Sequence, residues 1–291
     1  MGWRTVIISN QAKLDYKMGY LVVRGQDTYR ILIDEISMLV IENPMISITG
    51  FLIEKLIDKK IKVVFCDSKR NPAAELVSHH GSHDSSAKIR TQIRWNEGIK
   101  KLVWKEIVAE KIRKQAALLR ELGKRAEAEL LMSYVAQVEP GDVTNREGHA
   151  AKVYFNGLFG MDFSRSADIP INAALNYGYS IILSAFNREI TSNGYLTQIG
   201  VFHDNMFNVF NLGCDFMEPY RVIVDRAVVK SNFCTFGKEE KHELWRLMDM
   251  QVVIDGRRQN VANAIRIYTR SLFDAINDLD VSKVKNYSYF D

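Results

Sequence analysis

Apolar and polar positions alternate with a short period at the start of the chain and with a longer one afterwards. From residue 5 to about 41, the runs TVIIS, AKLDYK, YLVVRG, YRILI and ISMLVIE are short and rich in β-branched residues, and turn material such as Gly25-Gln26-Asp27 separates them. Strands spaced this closely predict an antiparallel sheet or small sandwich. Ser47 then reads as a helix cap for ITGFLIEKLIDKK, which places Ile48, Phe51, Leu52 and Leu56 on one face. IKVVFC, at 61–66, is continuously apolar and reads as a buried strand.

Residues 67–92 break the pattern with Pro72, Gly81, several serines and the histidines 79, 80 and 83, so a linker or loop is expected there. From Ile93 to Val138 apolar residues recur at helical spacing through Leu102, Val103, Ile107, Ile112, Leu119 and Leu122. Glu139-Pro140-Gly141-Asp142 ends that stretch, and Asn145 caps a new helix running REGHAAKVYFNGLF. A further helix is expected from Asp168 as cap and Pro170 in the first turn to about Asn193, with Gly194 as its stop. An apparent helix within 200–230 and two more near 237–250 and 257–279 follow, and the tail VKNYSYFD has no clear pattern. The expected fold class is α+β: a small N-terminal β-rich domain with one helix over 1–75, a linker over 76–92, and a larger all-helical domain over 93–291.

Composition narrows the class. Of the 291 residues 47% are hydrophobic and 25% charged, as in soluble globular proteins. No apolar run approaches the ~20 residues of a membrane span, and the start has no secretory pattern. Gly2 is not followed by the Ser or Thr at position 6 that a myristoylation signal needs; Val6 stands there. Cys66, Cys214 and Cys234 are odd in number and widely spaced, which implies neither a disulfide framework nor a cysteine metal site and fits a cytoplasmic location. The net charge of +4 is mild, but residues 100–125 carry nine Lys or Arg against three acids. Lys111, Arg113, Lys114, Lys124 and Arg125 are therefore candidates for contact with a DNA backbone. A solvated lysine-rich helix face is the plain alternative.

Candidate chemistry gathers around carboxylates. In GVFHDNMFNVFNLGCDFMEPYRVIVDR, from Gly200 to Arg226, helical spacing would put Asp215, Glu218 and Asp225 on one acidic stripe with His203 just ahead. Such a stripe suits a metal site for phosphate chemistry, but on this stretch alone the solvated face of an ordinary amphipathic helix is the more common case. Glu147 stands in a helix first turn, where the dipole favours a carboxylate. Ala150 and Ala151 follow it and would let another helix approach closely. The histidines 79, 80 and 83 have only Asp84 nearby to support a metal role. His149 and His242 read as ordinary polar histidines.

Two of these segments carry a resemblance. Glu147-Gly-His-Ala150-Ala151-Lys-Val-Tyr154 resembles the E-x-x-A-A-x-x-Y segment of the CRISPR-associated integrase, the enzyme of spacer acquisition, and Asp215-Phe-Met-Glu218-Pro-Tyr-Arg221 resembles its D-x-M-E-P-[FY]-R segment. The order of a small β domain before a larger helical one is similar too. The compact length and N-terminal sequence look most similar to the type II-A branch. The resemblance implies Glu147, His203 and Glu218 as ligands of Mg²⁺ or Mn²⁺, with Asp215 as a supporting acid. It implies integration of prespacer DNA into a CRISPR array by attack of a DNA 3′-hydroxyl on repeat phosphodiesters. It also implies a homodimer, bridged by a second small CRISPR-associated adaptation protein, with other type II-A adaptation proteins as further partners and no membrane. Two other classes stay open: a non-catalytic DNA-binding module, and a metallo-phosphoesterase acting on small substrates.

Overall fold

The computed structural model describes residues 4–76, 82–231 and 233–289. Strand β1 (Arg4–Ile8) leads into an antiparallel ladder of β2 (Ala12–Lys17), β3 (Tyr20–Arg24) and β4 (Thr28–Leu32). β5 (Ile36–Ile41), the short β6 (Ile46–Ile48), helix α1 (Gly50–Asp58), β7 (Lys62–Cys66) and β8 (Pro72–Leu76) follow. The expectation of one antiparallel sheet or sandwich needs correction, because the strands form two sheets of mixed direction. One has the order β1-β5-β7-β8, with β5 parallel to both β1 and β7; the other has the order β4-β3-β2-β6, with β6 parallel to β2. The reason lies in β5, whose six residues ISMLVI are all buried. A strand covered on both faces reads as continuously apolar and takes a central, parallel place.

The period of two in β5 and β7 ties the N-terminal sheets to the helices behind them. Leu39, Ile41 and Val63 join a small core with Leu52 and Leu56 of α1. Met38, Val40 and Val64, on the opposite face, join the large core built from the helices. The α1 cap is Thr49, whose hydroxyl accepts from the Leu52 amide at 3.3 Å, whereas the expected cap Ser47 lies inside β6.

The segment expected as linker carries α2 (Ser85–Ile93). The single long helical stretch expected over 93–138 is divided. α3 (Glu97–Glu121) starts at Asn96, whose side chain accepts from Gly98 and Ile99, and it ends before Gly123 at φ +78; α4 (Arg125–Val135) then folds back. α3 is the axis of the large core, buried through Val103, Trp104, Ile107, Val108, Ile112, Ala116 and Leu119. α5 (Arg146–Phe159) and α6 (Pro170–Ser192) match the expected helices, with Ile169 rather than Asp168 at the α6 cap.

The 200–230 region contains α7 (Asn211–Phe216), a 3-10 turn at Glu218–Tyr220 and α8 (Arg221–Ser231). α8 comes so close to α6 that a Cβ on Gly178 would stand 2.3 Å from Val224 Cγ1. α9 (Lys238–Trp245) stops short of the expected residue 250.

The all-helical expectation for 93–291 also fails. β9 (Gln251–Ile254) and β10 (Arg257–Asn260) form a hairpin at Asp255-Gly256, where both residues have positive φ, and α10 (Val261–Asn277) begins only after it. The tail supplies β11 (Tyr287–Ser288), which pairs with β9 to complete a three-stranded sheet. Among the described residues no helix is long and apolar enough to cross a membrane.

Candidate active site

Glu147 is fixed by the start of α5. The Asp142 carboxylate accepts from the amides of Arg146 at 2.8 Å and Glu147 at 2.9 Å, and Asn145 accepts from Gly148 at 3.2 Å. Three of the free amides at the helix start are thus satisfied, and the first turn is rigid. Across from it stands Lys111, one of the candidate DNA contacts. It is not on an exposed face. Its ammonium donates to Glu147 Oε1 at 2.6 Å and to Glu218 Oε2 at 2.5 Å, and the residue is only 9% exposed. On α3 it occupies a position of the buried stripe, between Val108 and Ile112 on one side and Gln115 and Ala116 on the other.

Glu218 does not continue the helix of Asp215. Pro219 follows it, α7 has ended at Phe216, and Glu218 opens a separate 3-10 turn. The expected single stripe of Asp215, Glu218 and Asp225 is therefore three separate environments. Glu218 is buried, and its other oxygen accepts from Arg221 Nε at 2.9 Å. Burial pushes its pKa up, but the charges of Arg221 and Lys111 win and hold it below the ordinary value. Burial likewise pulls Lys111 down, while Glu218 and Glu147 bring it above the ordinary lysine value. Both partners are therefore ionised at neutral pH. The turn is buttressed by Tyr287 of β11, whose hydroxyl donates to the Pro219 carbonyl at 3.2 Å.

Asp215 has no exposed surface and is an orienting group. It accepts from the amides of Val201 at 2.7 Å, Phe202 at 3.0 Å and His203 at 3.1 Å, and from His203 Nδ1 at 2.5 Å. The loop wraps it so tightly that a Cβ on Gly200 would lie 2.4 Å from the His203 carbonyl and 2.7 Å from Asp215 Oδ2. With Nδ1–H donated to Asp215, the Nε2 lone pair of a neutral His203 is left available. The hydrogen bond to Asp215 raises the His203 pKa, against burial, and the charges of Asp215, Glu218 and Glu147 add to the rise. Its ring meets Trp104 edge-on at 5.6 Å, and Trp104 in turn stacks on Phe202 at 4.3 Å.

Asp225 faces two phenols. Tyr154 donates to Oδ2 at 2.9 Å and Tyr179 donates to Oδ1. Burial pushes its carboxyl up to about 6 in spite of these bonds. Glu218 and Asp225 both line a cavity of about 250 Å³, together with Lys111, Gln115, Arg165 and Arg221 among others.

Among the described residues, no three His, Cys, Asp or Glu side chains stand close enough together to hold a metal ion. The expected convergence of Glu147, His203 and Glu218 on one point is thus not preformed, and an ammonium bridges the two carboxylates instead. The donor types still fit a hard divalent cation, since two ionised carboxylates and one imidazole nitrogen suit Mg²⁺ or Mn²⁺. The Lys111 ammonium stands in for positive charge at the point the carboxylates share.

Of the other candidates, Arg113 is paired with Glu106 at 3.2 Å and Glu110 at 3.0 Å, and Lys114 with Glu110 at 2.8 Å. Lys124 and Arg125, at the start of α4, are exposed. His83 lies in an exposed turn ahead of α2, and His79 and His80 fall outside the described residues. His242 contacts Glu42 at 3.1 Å and Ser9 at 3.3 Å. The sequence reading did not single out Gln115 or Tyr179; it named Lys111 only as a DNA contact, and it gave neither the Arg221–Glu218 pair nor the bonds of Tyr154 and Tyr179 to Asp225. One signal was available for Lys111: a lysine where the helical period calls for an apolar residue.

Residues 5–232 match the family described as "CRISPR associated protein Cas1". A CRISPR-associated endonuclease Cas1 of Neisseria meningitidis serogroup C is 30% identical over 291 residues, covering 98% of this chain and 96% of that protein. Among solved structures, a casposase bound to integration product aligns with a TM-score of 0.76 at 18% identity, over 97% of this chain and 94% of the other. A Cas6-RT-Cas1–Cas2 complex aligns with a TM-score of 0.73 at 16% identity, over 99% of this chain and 36% of that longer chain. These structures share the fold, and the sequence matches over most of the length decide the relationship: the chain belongs to the CRISPR-associated Cas1 family.

Proposed function

We propose that this chain is a metal-dependent DNA endonuclease and integrase of CRISPR adaptation, joining the 3′-hydroxyl ends of prespacer DNA to phosphodiesters of a CRISPR repeat. Family membership supports the reaction class: the Neisseria relative is named an endonuclease, and the casposase neighbour is bound to integration product. At residue level the reading rests on one observation, the Glu147–Lys111–Glu218 bridge beside an imidazole fixed by Asp215. Glu147, His203 through Nε2, and Glu218 would hold Mg²⁺ or Mn²⁺. When bound, such an ion stabilises charge on the phosphate and on the attacking or leaving oxygen.

The remaining work falls to the chain's own groups. Asp215 keeps the proton of His203 on Nδ1 and the ring in one orientation. Arg165 and Arg221 line the cavity beside Glu218 and would neutralise a phosphodiester there. No base pocket is required, because the chemistry is on the backbone. Lys124 and Arg125 stay as candidate contacts to DNA further along the duplex.

Assembly is part of the same reading. β4 is exposed along most of its length and shows Tyr29 and Leu32 to solvent, which suits an edge where two copies meet as a homodimer. A Cas2 protein would bridge such dimers, as the Cas1–Cas2 neighbour suggests. The likeness to the type II-A branch rests on length and N-terminal sequence alone. A unit over 1–75, a connecting segment over 76–92 and a catalytic unit over 93–291, acting in the cytoplasm, complete it. The test is joining of labelled prespacer to a repeat-containing plasmid with Mn²⁺ or Mg²⁺ and the bridging partner. Glu218→Ala is expected to lose strand transfer while still binding DNA, and full strand transfer by that variant refutes the assignment.

A further inference from the structure

Two of the three proposed ligands already carry cations without a metal. The Lys111 ammonium bridges Glu147 and Glu218, and the Arg221 guanidinium holds the other oxygen of Glu218. A divalent ion entering this arrangement would share a buried space with a bound ammonium, and like charges repel strongly where water is scarce. One cation has to yield. Arg221 is held on two sides, by Glu218 and by the Tyr179 ring 4.8 Å from its guanidinium. Lys111 is a point charge on a flexible four-carbon stem.

There is a place for it to go. Gln115 follows Lys111 by four residues on α3, so the two share a helix face. Gln115 is 2% exposed, and its side-chain oxygen is buried without a hydrogen-bond partner. An acceptor left unmade in this way costs stability unless something fills it. Gln115, Lys111 and Asp225 line the same cavity, so no barrier of packed side chains separates them.

Building on the metal-site reading above, we infer that Lys111 is an exchangeable counter-ion. It holds Glu147 and Glu218 together until a divalent cation enters, and its ammonium then turns into the cavity toward Gln115 Oε1 and Asp225. Lysine thus guards the site against standing empty and tunes how tightly metal is held.

The measurement is Mn²⁺ binding to the metal-free, full-length protein, followed by the electron paramagnetic resonance of free Mn²⁺, with melting curves recorded in parallel. Lys111→Met is expected to bind Mn²⁺ about tenfold more tightly than wild type, the scale of one removed repulsive charge. It should also melt lower without metal and show a larger upward shift with it. Gln115→Leu keeps the bridge but removes the receiving acceptor, and should bind Mn²⁺ about fivefold more weakly. Wild type that binds Mn²⁺ while Lys111→Met binds it equally or less tightly overturns the exchange. Should Lys111→Met not fold, unchanged affinity in Gln115→Leu overturns it. If neither wild type nor Lys111→Met binds Mn²⁺, the metal-site reading itself falls. Binding by Lys111→Met alone supports the exchange in its strongest form.

Discussion

Glu218 and Asp225 stand seven positions apart, both buried and both lining one cavity. Glu218 is surrounded by cations and keeps its charge; Asp225 is surrounded by phenols and has its carboxyl pushed up to about 6. Burial acts the same way on both. What differs is the bonded partner: Lys111 and Arg221 donate directly to one, while the other accepts only from Tyr154 and Tyr179 and feels the two cations without bonding them. One carboxylate is kept as a ligand for cations, and the other serves as a brace between α5, α6 and α8. Acidic residues in a stretch of sequence are thus not interchangeable, and the element across from each decides its task.

The comparison breaks most sharply at Glu218. Glu218→Gln preserves size and removes the charge, and strand transfer in the plasmid-joining assay should fall to background. Asp225→Asn, measured in the same assay, should retain most activity. Equal losses in the two would erase the distinction. The next effect in size concerns Asp215. Asp215→Asn leaves the loop's amides partly satisfied but frees the His203 ring, and Mn²⁺ affinity by calorimetry should drop about 10- to 100-fold, as for other groups that orient a metal ligand.

A smaller effect should appear in the pH dependence of stability. The folded Asp225 carboxyl titrates at about 6, above its ordinary value of 3.8. The folded state holds that proton more tightly, so Asp225 contributes stability below about 3.8 that is lost as pH rises through 6. Melting curves of wild type and Asp225→Asn should therefore diverge in favour of the variant as pH rises across this window. A gap that stays constant would mean that the phenols leave the carboxylate fully charged. The smallest effect belongs to the exposed lysines and arginines. Lys124→Glu with Arg125→Glu should weaken DNA binding modestly and lower the slope of log affinity against log salt by about one per lost phosphate contact. An unchanged slope would leave that surface merely solvated.

The same contrast explains what could be read from the sequence. That sheets come first and helices mostly follow was legible, because a period of two near residues 5–41 gives way to a helical period after 93. The break at Gly123 was not counted, since the apolar positions continue across it. Glu147 was legible through its cap at Asn145. Asp215 was placed near His203, but their hydrogen bond depends on a loop folding back around Gly200, which no spacing rule encodes. Pro219 announced the turn after Glu218, yet helical spacing was carried across it. Asp255-Gly256 is a hairpin signal that was left unread between two expected helices, and the strand after it was absorbed into the second of them. Lys111 was hidden by its neighbours: among so many basic residues it was taken for part of the exposed surface, although its position on α3 belongs to the core.

Tyr287 reaches back across the chain to the turn that carries Glu218. Its hydroxyl holds the Pro219 carbonyl, its ring lies 4.6 Å from that of Tyr220, and its own carbonyl accepts from Lys114. The family match stops at residue 232, well short of this strut. A minimal fragment trimmed to that boundary would retain the proposed ligands and lose the wall they lean on. For anyone building fusions or split versions of this protein, the useful boundary lies beyond Ser288, and a separate peptide carrying Tyr287 could complement a shortened chain in trans.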